Sequence, residues 1–477
     1  MFLRNIYDEE LAQAAYIVGC QQTGEALVID PERDIDRYRK IAADNDLEIV
    51  AVAETHIHAD FVSGAREFSR LPDVTVYLSG LGGEDWSYRW PDEDRNANVR
   101  FLKDGEVFRI GKVEIEAIHS PGHTPEHLSY RITDRGGGAD EPVAIATGDF
   151  LFVGDVGRPD LLESAAGLTG AMEPSARTLQ SSLAERIAPV PEFVQVLPGH
   201  GAGSACGKAL GAIPSSTIGY ERRFNKALKL AETDATAFVR EILSGQPEPP
   251  LYFKRMKHVN RDGIQVTGGA PVPAHLNVDE FLQKASRDGT VVLDGRPDRT
   301  DFIAEHVPGS LCAPLNGSSF SNAAGAFLTE DDSILLILER EDQLDGAVRK
   351  LYRIGFDNIS GWVSFEDLKG ESGSTVMTAL ERIDFSRFDP RTLEENAVIL
   401  DVRGSSEFQE GHIEGARHVP YTRLAAHLEE LPKDKRYYVY CASGRRATLT
   451  ASFLASLGYS VVLVDGSGDH LFVRDAA

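Results

Sequence analysis

Residues 54–64, ETHIHADFVSG, follow the apolar run Ile49-Val50-Ala51-Val52-Ala53. That run reads as a short buried strand. His56, His58 and Asp60 stand two apart at its end. In an extended chain this spacing points His56 and His58 the same way. Imidazole and carboxylate are the ligands that suit zinc, iron and manganese. A single H-x-H is a weak signal, since a loop with two solvated histidines looks the same. Three more segments repeat the arrangement: Ser120-Pro-Gly-His123-Thr, Thr147-Gly-Asp149-Phe-Leu-Phe and Leu197-Pro-Gly-His200-Gly. Each puts a His or Asp just beyond an apolar, strand-like run, beside glycines that let the backbone turn sharply.

Together these segments resemble the metallo-β-lactamase superfamily, an αββα sandwich with its metal at one sheet edge. The resemblance covers about the first half of the chain. The family motif is H-x-H-x-D-H, and here Phe61 stands in the last place. The family's second metal position draws on that Asp-His pair, the late His and a bridging Asp, so losing one nitrogen weakens the second position most. The resemblance therefore implies one metal, held by His56, His123 and Asp149. Two histidines and one carboxylate with open positions form the facial triad of non-haem Fe(II) oxygenases. The expected cofactor is one Fe(II) per chain.

The chain has 477 residues, enough for about three domains at roughly 150 each. Its 49 Lys+Arg against 74 Asp+Glu give a formal net charge of −25, which argues against broad nucleic-acid binding. Four cysteines, Cys20, Cys206, Cys312 and Cys441, make no disulfide scaffold and no C-x-x-C. Acidic residues interrupt the N-terminal stretch, and there is no 18-residue apolar run. A cytoplasmic protein with reduced thiols and no membrane contact is expected, as a homo-oligomer.

In chain order, 14–18 and 25–29 read as a hairpin, 34–45 as a helix and 74–78 as a strand. Residues 80–98 read as a surface loop with a short helix, and 107–118 as a second hairpin. His119 is expected at a strand end near the site, and His127 in a structural role. In the superfamily's sulfur-oxidising branch, the persulfide dioxygenases, a G-R-x-D segment lies close to the substrate pocket. Gly157-Arg158-Pro-Asp160 fits it, so Arg158 either binds an anionic substrate or pairs with Asp160 or Asp155. With Phe61 in the motif, His58, Asp60 and His200 are expected beside the metal, with His200 orienting water or substrate. Cys206 is either a small buried hydrophobe or a sulfur-handling group near the site. Residues 220–240 read as helical, and Gln246-Pro-Glu-Pro-Pro250 as a breaker. The resemblance implies an extension, 250–260, packed on the first domain.

The rest of the chain is duplicated. Val291-Val-Leu-Asp294-Gly-Arg296 matches Val398-Ile-Leu-Asp401-Val-Arg403, and His306-Val-Pro-Gly309 matches His412-Ile-Glu-Gly415. A repeat near 105 residues is too long for a solenoid and fits two copies of one α/β domain. Residues 371–375, ESGST, read as the linker. Both copies resemble rhodanese domains, on D-V-R, G-H-I-x-G-A and C-x-x-G-R-R in the second. A strand delivers Cys441 to the loop Ala442, Ser443, Gly444, Arg445, Arg446, where a helix begins. Inward-pointing N–H groups, the helix's positive end and the two arginines favour a thiolate or persulfide anion there. In the first copy Leu338 falls at the cysteine position, followed by the acidic Glu339-Arg-Glu-Asp342, so that copy is expected to be silent. Rhodanese domains often close on Gly-Gly and Trp; the second copy has DGSGDH at 465–470 instead.

The fold expected is multidomain α/β: the αββα sandwich over 1–268, a silent rhodanese-like domain over 272–372 and an active one over 380–477. This order resembles persulfide dioxygenase–rhodanese fusions. The resemblance implies oxidation of a small-thiol persulfide, of glutathione, coenzyme A or similar, by dioxygen to sulfite. Cys441 then carries sulfane sulfur, with thiosulfate the product when sulfite accepts it. The alternatives are a two-zinc thioester hydrolase of the glyoxalase II kind and a non-enzymatic sulfur carrier or persulfide sensor.

Overall fold

In the strand Gln13–Cys20 every residue is buried, and alternate side chains enter two different cores. The computed structural model, which describes residues 1–94, 97–164, 170–208, 210–370 and 377–473, shows why. Ala14, Tyr16 and Val18 enter a core between two sheets, while Ala15 and Ile17 enter a core that also takes Tyr38 and Ala42 from a helix. Leu27 and Ile29 against Ala26 and Val28 repeat the division, as do Ala144 and Ala146 against Ile145. A strand covered on both faces reads as a continuous apolar run.

One sheet takes its six strands in chain order: Phe2–Asp8, Gln13–Cys20, Glu25–Ile29, Glu48–Ala53, Thr75–Ser79 and Val99–Leu102. The first three are antiparallel and the rest join in parallel. The other sheet runs Ser216–Thr217, Gln195–Pro198, Ala144–Gly148, Leu128–Asp134, Val113–His119, Val107–Ile110. Helix Asp36–Ala43 packs on the first sheet, and Met172–Ile187 packs on the second through Ala176, Leu179, Leu183 and Ile187. These layers are the αββα sandwich. Residues 220–240 are helical as expected, but not in one piece. Three helices stand there, Ile218–Phe224, Lys226–Thr233 and Ala235–Leu243. Asn225 and Asp234 each end one helix and cap the next, accepting from Leu228 N and Ala237 N.

The chain divides into two compact units, Met1–Pro249 with Phe253–Gly269, and Pro250–Tyr252 with Ala270–Ala477. Both repeats fall in the second unit. The first repeat orders its strands Leu311–Cys312, Thr290–Asp294, Ser333–Leu338, Ile359–Ser364. The second orders Arg417–His418, Ala397–Asp401, Arg436–Tyr440, Ser460–Asp465, and adds Arg382–Asp384 at the end. Asp294 pairs with Ile337 as Asp401 pairs with Tyr440, so Leu338 and Cys441 occupy the same place. Side chains repeat too. Arg296 grips Asp294 at 2.9 and 2.7 Å, and Arg403 grips Asp401 at 2.9 and 2.6 Å. His306 stacks on Phe302 and His412 on Phe408. Between the repeats, Phe327 stacks on Phe453 and Cys312 N donates to Ser452 Oγ at 3.0 Å. The linker expected at 371–375 lies outside the described residues. All four cysteines are free and buried. Among the described residues no helix is long and apolar enough to cross a membrane.

Candidate metal centre and sulfur-transfer loop

Parallel strands of both sheets end on the loops that carry the site. Glu48–Ala53 leads to His56, His58 and Asp60; Ala144–Gly148 leads to Asp149; Gln195–Pro198 leads to His200. His123 comes from the turn between Val113–His119 and Leu128–Asp134. Ligands in open α/β sheets gather at such strand ends. The turn into Asp149 depends on Gly148, which has φ +47°. A Cβ there would lie 2.5 Å from Thr55 Oγ1 and 2.8 Å from His127 Nε2.

One ligand atom each of His56, His123 and Asp149 lies within 4.8 Å of the others, and all three residues are buried. Their remaining polar atoms are tied back. Thr55 Oγ1 donates to Asp30 Oδ2 at 2.8 Å, so at 2.9 Å it accepts from His56 Nδ1–H. His123 Nδ1 donates to the Arg158 carbonyl at 3.0 Å. Both rings are thereby fixed with the Nε2 lone pair facing inward. Burial holds His56 well below the ordinary histidine value, and neighbouring imidazoles add to this; burial holds His123 below it too. Neutral imidazole is the ligating form. Asp149 Oδ1 meets His200 Nδ1 at 2.8 Å, whereas Asp149 Oδ2 is buried without a hydrogen-bond partner. It lies 3.5 Å from His123 Nε2 and 4.0 Å from His56 Nε2. An orphaned carboxylate oxygen facing two lone pairs is a cost unless a cation fills the space between. The residues present fit a metal ion.

The other motif residues are engaged elsewhere. His58 Nε2 lies 3.1 Å from Asp30 Oδ1 and 3.3 Å from Glu54 Oε2. Burial alone would lower His58; the two carboxylates overcome it and hold it well above the usual value. Phe61 lies against the His58 ring, with centroids 4.4 Å apart. His200 bridges Asp149 and Asp60, with Nε2 2.7 Å from Asp60 Oδ2. The two carboxylates overcome burial and push it up to about 10. Asp60, His200 and Cys206 form a second buried group, and burial pushes the Cys206 thiol up. Of the two readings of Arg158, the pairing with Asp160 is the one present, at 3.0 and 2.6 Å. Arg158 NH1 also donates to the Ala205 carbonyl at 2.8 Å, so it braces the Cys206 loop instead of presenting a free cation to substrate.

Sequence reading missed several residues. Asp30 ends the strand Glu25–Ile29 and accepts from Thr55 N at 2.6 Å. Its place just past an apolar strand is the same signal that marks Asp149. Glu126 Oε1 accepts from Ile57 N at 2.7 Å, between the two histidines, and burial pushes Glu126 up to about 7. Asn260, on helix Tyr252–Asp262, donates to the carbonyls of His58 and Phe61 and accepts from Ser63 N. Nothing local marks it. His127 accepts from Asp149 N at 3.2 Å and pairs with Ser120 Oγ, and His119 donates to the Pro125 carbonyl.

In the second unit, Cys441 follows the strand Arg436–Tyr440 and is buried. Ala447 N, in helix Arg445–Ser456, lies 3.4 Å from its Sγ and donates to it. Gly444 turns the loop at φ +80°, where a Cβ would lie 2.2 Å from Asp465 Oδ1. Arg446 is paired with Glu407 at 2.5 and 2.8 Å, and Arg445 and Ser443 are exposed with Ala442. At the matching place the first repeat has the buried Leu338. The N–H groups of Glu339 and Arg340 both donate to Gln343 Oε1, at 3.0 and 3.1 Å. Gln343 thus closes the start of that loop on itself.

Two family models match this chain: the metallo-beta-lactamase superfamily over residues 8–200 and the rhodanese-like domain over residues 390–469. The chain is 25% identical over 235 residues to the mitochondrial persulfide dioxygenase ETHE1 of Bos taurus, covering 48% of this chain and 77% of that protein. It is 28% identical over 261 residues to a hydroxyacylglutathione hydrolase of Polaromonas sp., covering 49% of this chain and 88% of that protein. The crystal structure of a metallo-beta-lactamase from Staphylococcus aureus subsp. aureus COL is 35% identical, with a TM-score of 0.66. That match covers 76% of this chain and 99% of the other. Identity and coverage of that order place this chain in the metallo-beta-lactamase superfamily, as a member that carries a rhodanese-like domain at its C-terminal end.

Proposed function

We propose that this protein oxidises a small-thiol persulfide with dioxygen at one iron, yielding sulfite, and moves sulfane sulfur through Cys441. The observation that carries the reading is the orphaned Asp149 Oδ2 opposite the two inward lone pairs of His56 and His123. His58, Asp60 and His200 are held in buried hydrogen bonds, and Phe61 replaces the nitrogen a second metal would use. That set suits one metal. Bound there, Fe(II) supplies open positions for the persulfide's terminal sulfur and for dioxygen. The overall reaction balances as persulfide, dioxygen and water giving thiol, sulfite and two protons.

The chain's own residues keep the site in one protonation state. His200 stays cationic between Asp149 and Asp60, so Asp149 remains a carboxylate. Beside His123 lies a narrow pocket lined by Ala59, Trp86, Leu161 and Phe253, of about 20 Å³, room for about one water. Its walls are mostly apolar, with Thr124 and Lys257 also on the lining, which suits an anionic sulfur better than a hydrated cation. The similarity to a persulfide dioxygenase supports this reading, and the similarity to a hydroxyacylglutathione hydrolase supports a thioester hydrolase on the same fold. Oxygen uptake by iron-loaded protein on glutathione and coenzyme A persulfides is expected, with one iron per chain by elemental analysis. Two zinc ions per chain with thioester hydrolysis and no oxygen uptake would overturn the proposal. Binding of persulfide without turnover would leave a carrier or sensor.

A further inference from the structure

Lys257 is a buried cation without a counter-ion. It stands on helix Tyr252–Asp262, 7% exposed, with its Nζ 3.9 Å from the centroid of the Trp86 ring. Among the described residues it makes no hydrogen bond and no ion pair. Glu126, Asp85 and Asp262 act on it only across space, and Arg261 opposes them. Burial draws its ammonium below the ordinary lysine value, the direction expected of a cation left alone. Such a charge is costly unless an anion reaches it. The cavity it lines is the narrow one beside His123, of about 20 Å³. Thr124 lines it too. Its buried Oγ1 faces the Glu126 carboxyl without reaching hydrogen-bond geometry. Two unused donors thus share a space about one water wide with a proposed metal ligand. The rest of the wall is Trp86, Phe253 and aliphatic side chains. A water there would accept from Lys257 but leave its charge uncompensated.

We propose that this cavity is an anion niche, in which Lys257 and Thr124 donate to the anionic outer sulfur of the persulfide and hold it beside His123. Lys257 then selects an ionised persulfide over a neutral thioester. That the anion is a persulfide rests on the dioxygenase reading; the niche itself rests on the uncompensated ammonium. The walls narrow the class of anion. It must be small and weakly hydrated, because an indole face and a phenyl ring cannot replace a hydration shell. A sulfur anion meets both conditions, and a carboxylate or phosphate is too large for the space. No bond forms or breaks in this step. The sulfur keeps its charge and accepts two hydrogen bonds, one of them from a cation.

The first measurement uses the metal-free full chain, with iodide as the probe for a soft monoanion and tryptophan emission as the readout. All three tryptophans, Trp86, Trp90 and Trp362, are buried, so quenching from bulk solvent is weak. At constant ionic strength the parent is expected to show saturable quenching that hydrosulfide reverses and that Trp86→Phe lacks. Lys257→Met keeps the length of the side chain and removes the charge. It is expected to weaken iodide binding by about tenfold or more, and Thr124→Val by less. Thr124→Val and the hydrosulfide competition on the parent decide the matter should Lys257→Met fail to fold. In iron-loaded protein, Lys257→Met is expected to raise the KM for glutathione persulfide by about tenfold or more, with kcat within about threefold and iron content unchanged. Quenching linear in iodide, or saturable quenching equal in the parent and Lys257→Met, would overturn the proposal, as would a KM that does not move. Saturable iodide binding by a parent that takes up no oxygen when iron-loaded would instead remove the dioxygenase reading and leave the niche as a site for a soft anion.

Discussion

Asp149 gives its two oxygens different tasks. Oδ1 is held by the His200 cation, and Oδ2 faces His56 and His123 with no partner. Removing a ligand and removing its orienting neighbour should therefore differ in degree. His123→Ala and Asp149→Ala are each expected to abolish oxygen uptake and to lower iron affinity by more than about 100-fold. His200→Gln is expected in the range of about 10- to 100-fold typical of groups that orient ligands. Iron titration of the three apoproteins checks the order, and equal losses in all three would make His200 a ligand. Glu126 carries a pH prediction. Burial pushes it up to about 7, above its ordinary 4.5. Between those values the folded chain holds a proton that the unfolded chain has released, so its contribution is complete below about pH 4.5 and is lost as pH rises through 7. The difference amounts to about 3 kcal/mol at most, at about 1.4 kcal/mol per unit. Glu126→Gln is expected to flatten the fall in stability from pH 5 to 8, measured by urea unfolding at each pH against the parent. A parallel curve for the variant would mean Glu126 does not titrate in that window.

At the scale of elements, helix Tyr252–Asp262 holds the metal loop through Asn260, which makes three hydrogen bonds to residues 58, 61 and 63. Asn260→Ala leaves those buried backbone groups unpaired, at about 1–3 kcal/mol for each group. A drop in melting temperature accompanied by weaker iron binding is expected, and iron affinity equal to the parent's would show that the loop holds its shape alone. This clamp was not legible in the sequence, because Asn260 lies about two hundred residues from its partners. Asp30 and Glu54, which hold His58, stand only 28 and four residues from it, and Asp30 carried the same strand-end signal as Asp149 without being singled out. Strands and loop ends were legible, because burial on both faces writes a continuous apolar run and glycines mark the turns. The breaks at Asn225 and Asp234 carried a capping signal that helical periodicity masked. The Cys441 loop gives a further test by its contrast with the first repeat. Leu338→Cys in a Cys441→Ser background is expected to transfer no sulfur from thiosulfate to cyanide, about 100-fold or more below the parent. Gln343 ties up the Glu339 and Arg340 amides, and Glu339 and Glu341 put negative charge beside the place, where Asp342 is paired with Arg340. Appreciable transfer would show that position alone suffices.

For the whole molecule, the sequence pattern separated two proposed chemistries before any coordinates: candidate metal ligands in the first half and a candidate sulfur-carrying loop in the last quarter. What it did not reveal is that both repeats fall in one unit, since Arg299 and Asp465 meet only once the chain is folded. Cys441→Ser should part the two chemistries. The proposed iron ligands are two histidines and a carboxylate in the first unit, so oxygen uptake on a small-thiol persulfide is expected to persist within about twofold. A hydroxyl cannot hold sulfane sulfur, so the product should change, with sulfite accumulating where the parent makes thiosulfate. Cys206→Ser is the contrast. Its thiol is buried and held protonated, beside Asp60 and His200. If it only packs there, neither oxygen uptake nor product moves. Both products are followed over time in both variants, with the uncatalysed coupling of sulfite and persulfide subtracted. Thiosulfate from Cys441→Ser equal to that from the parent would mean that the loop at Cys441 takes no part in the pathway that begins at the metal.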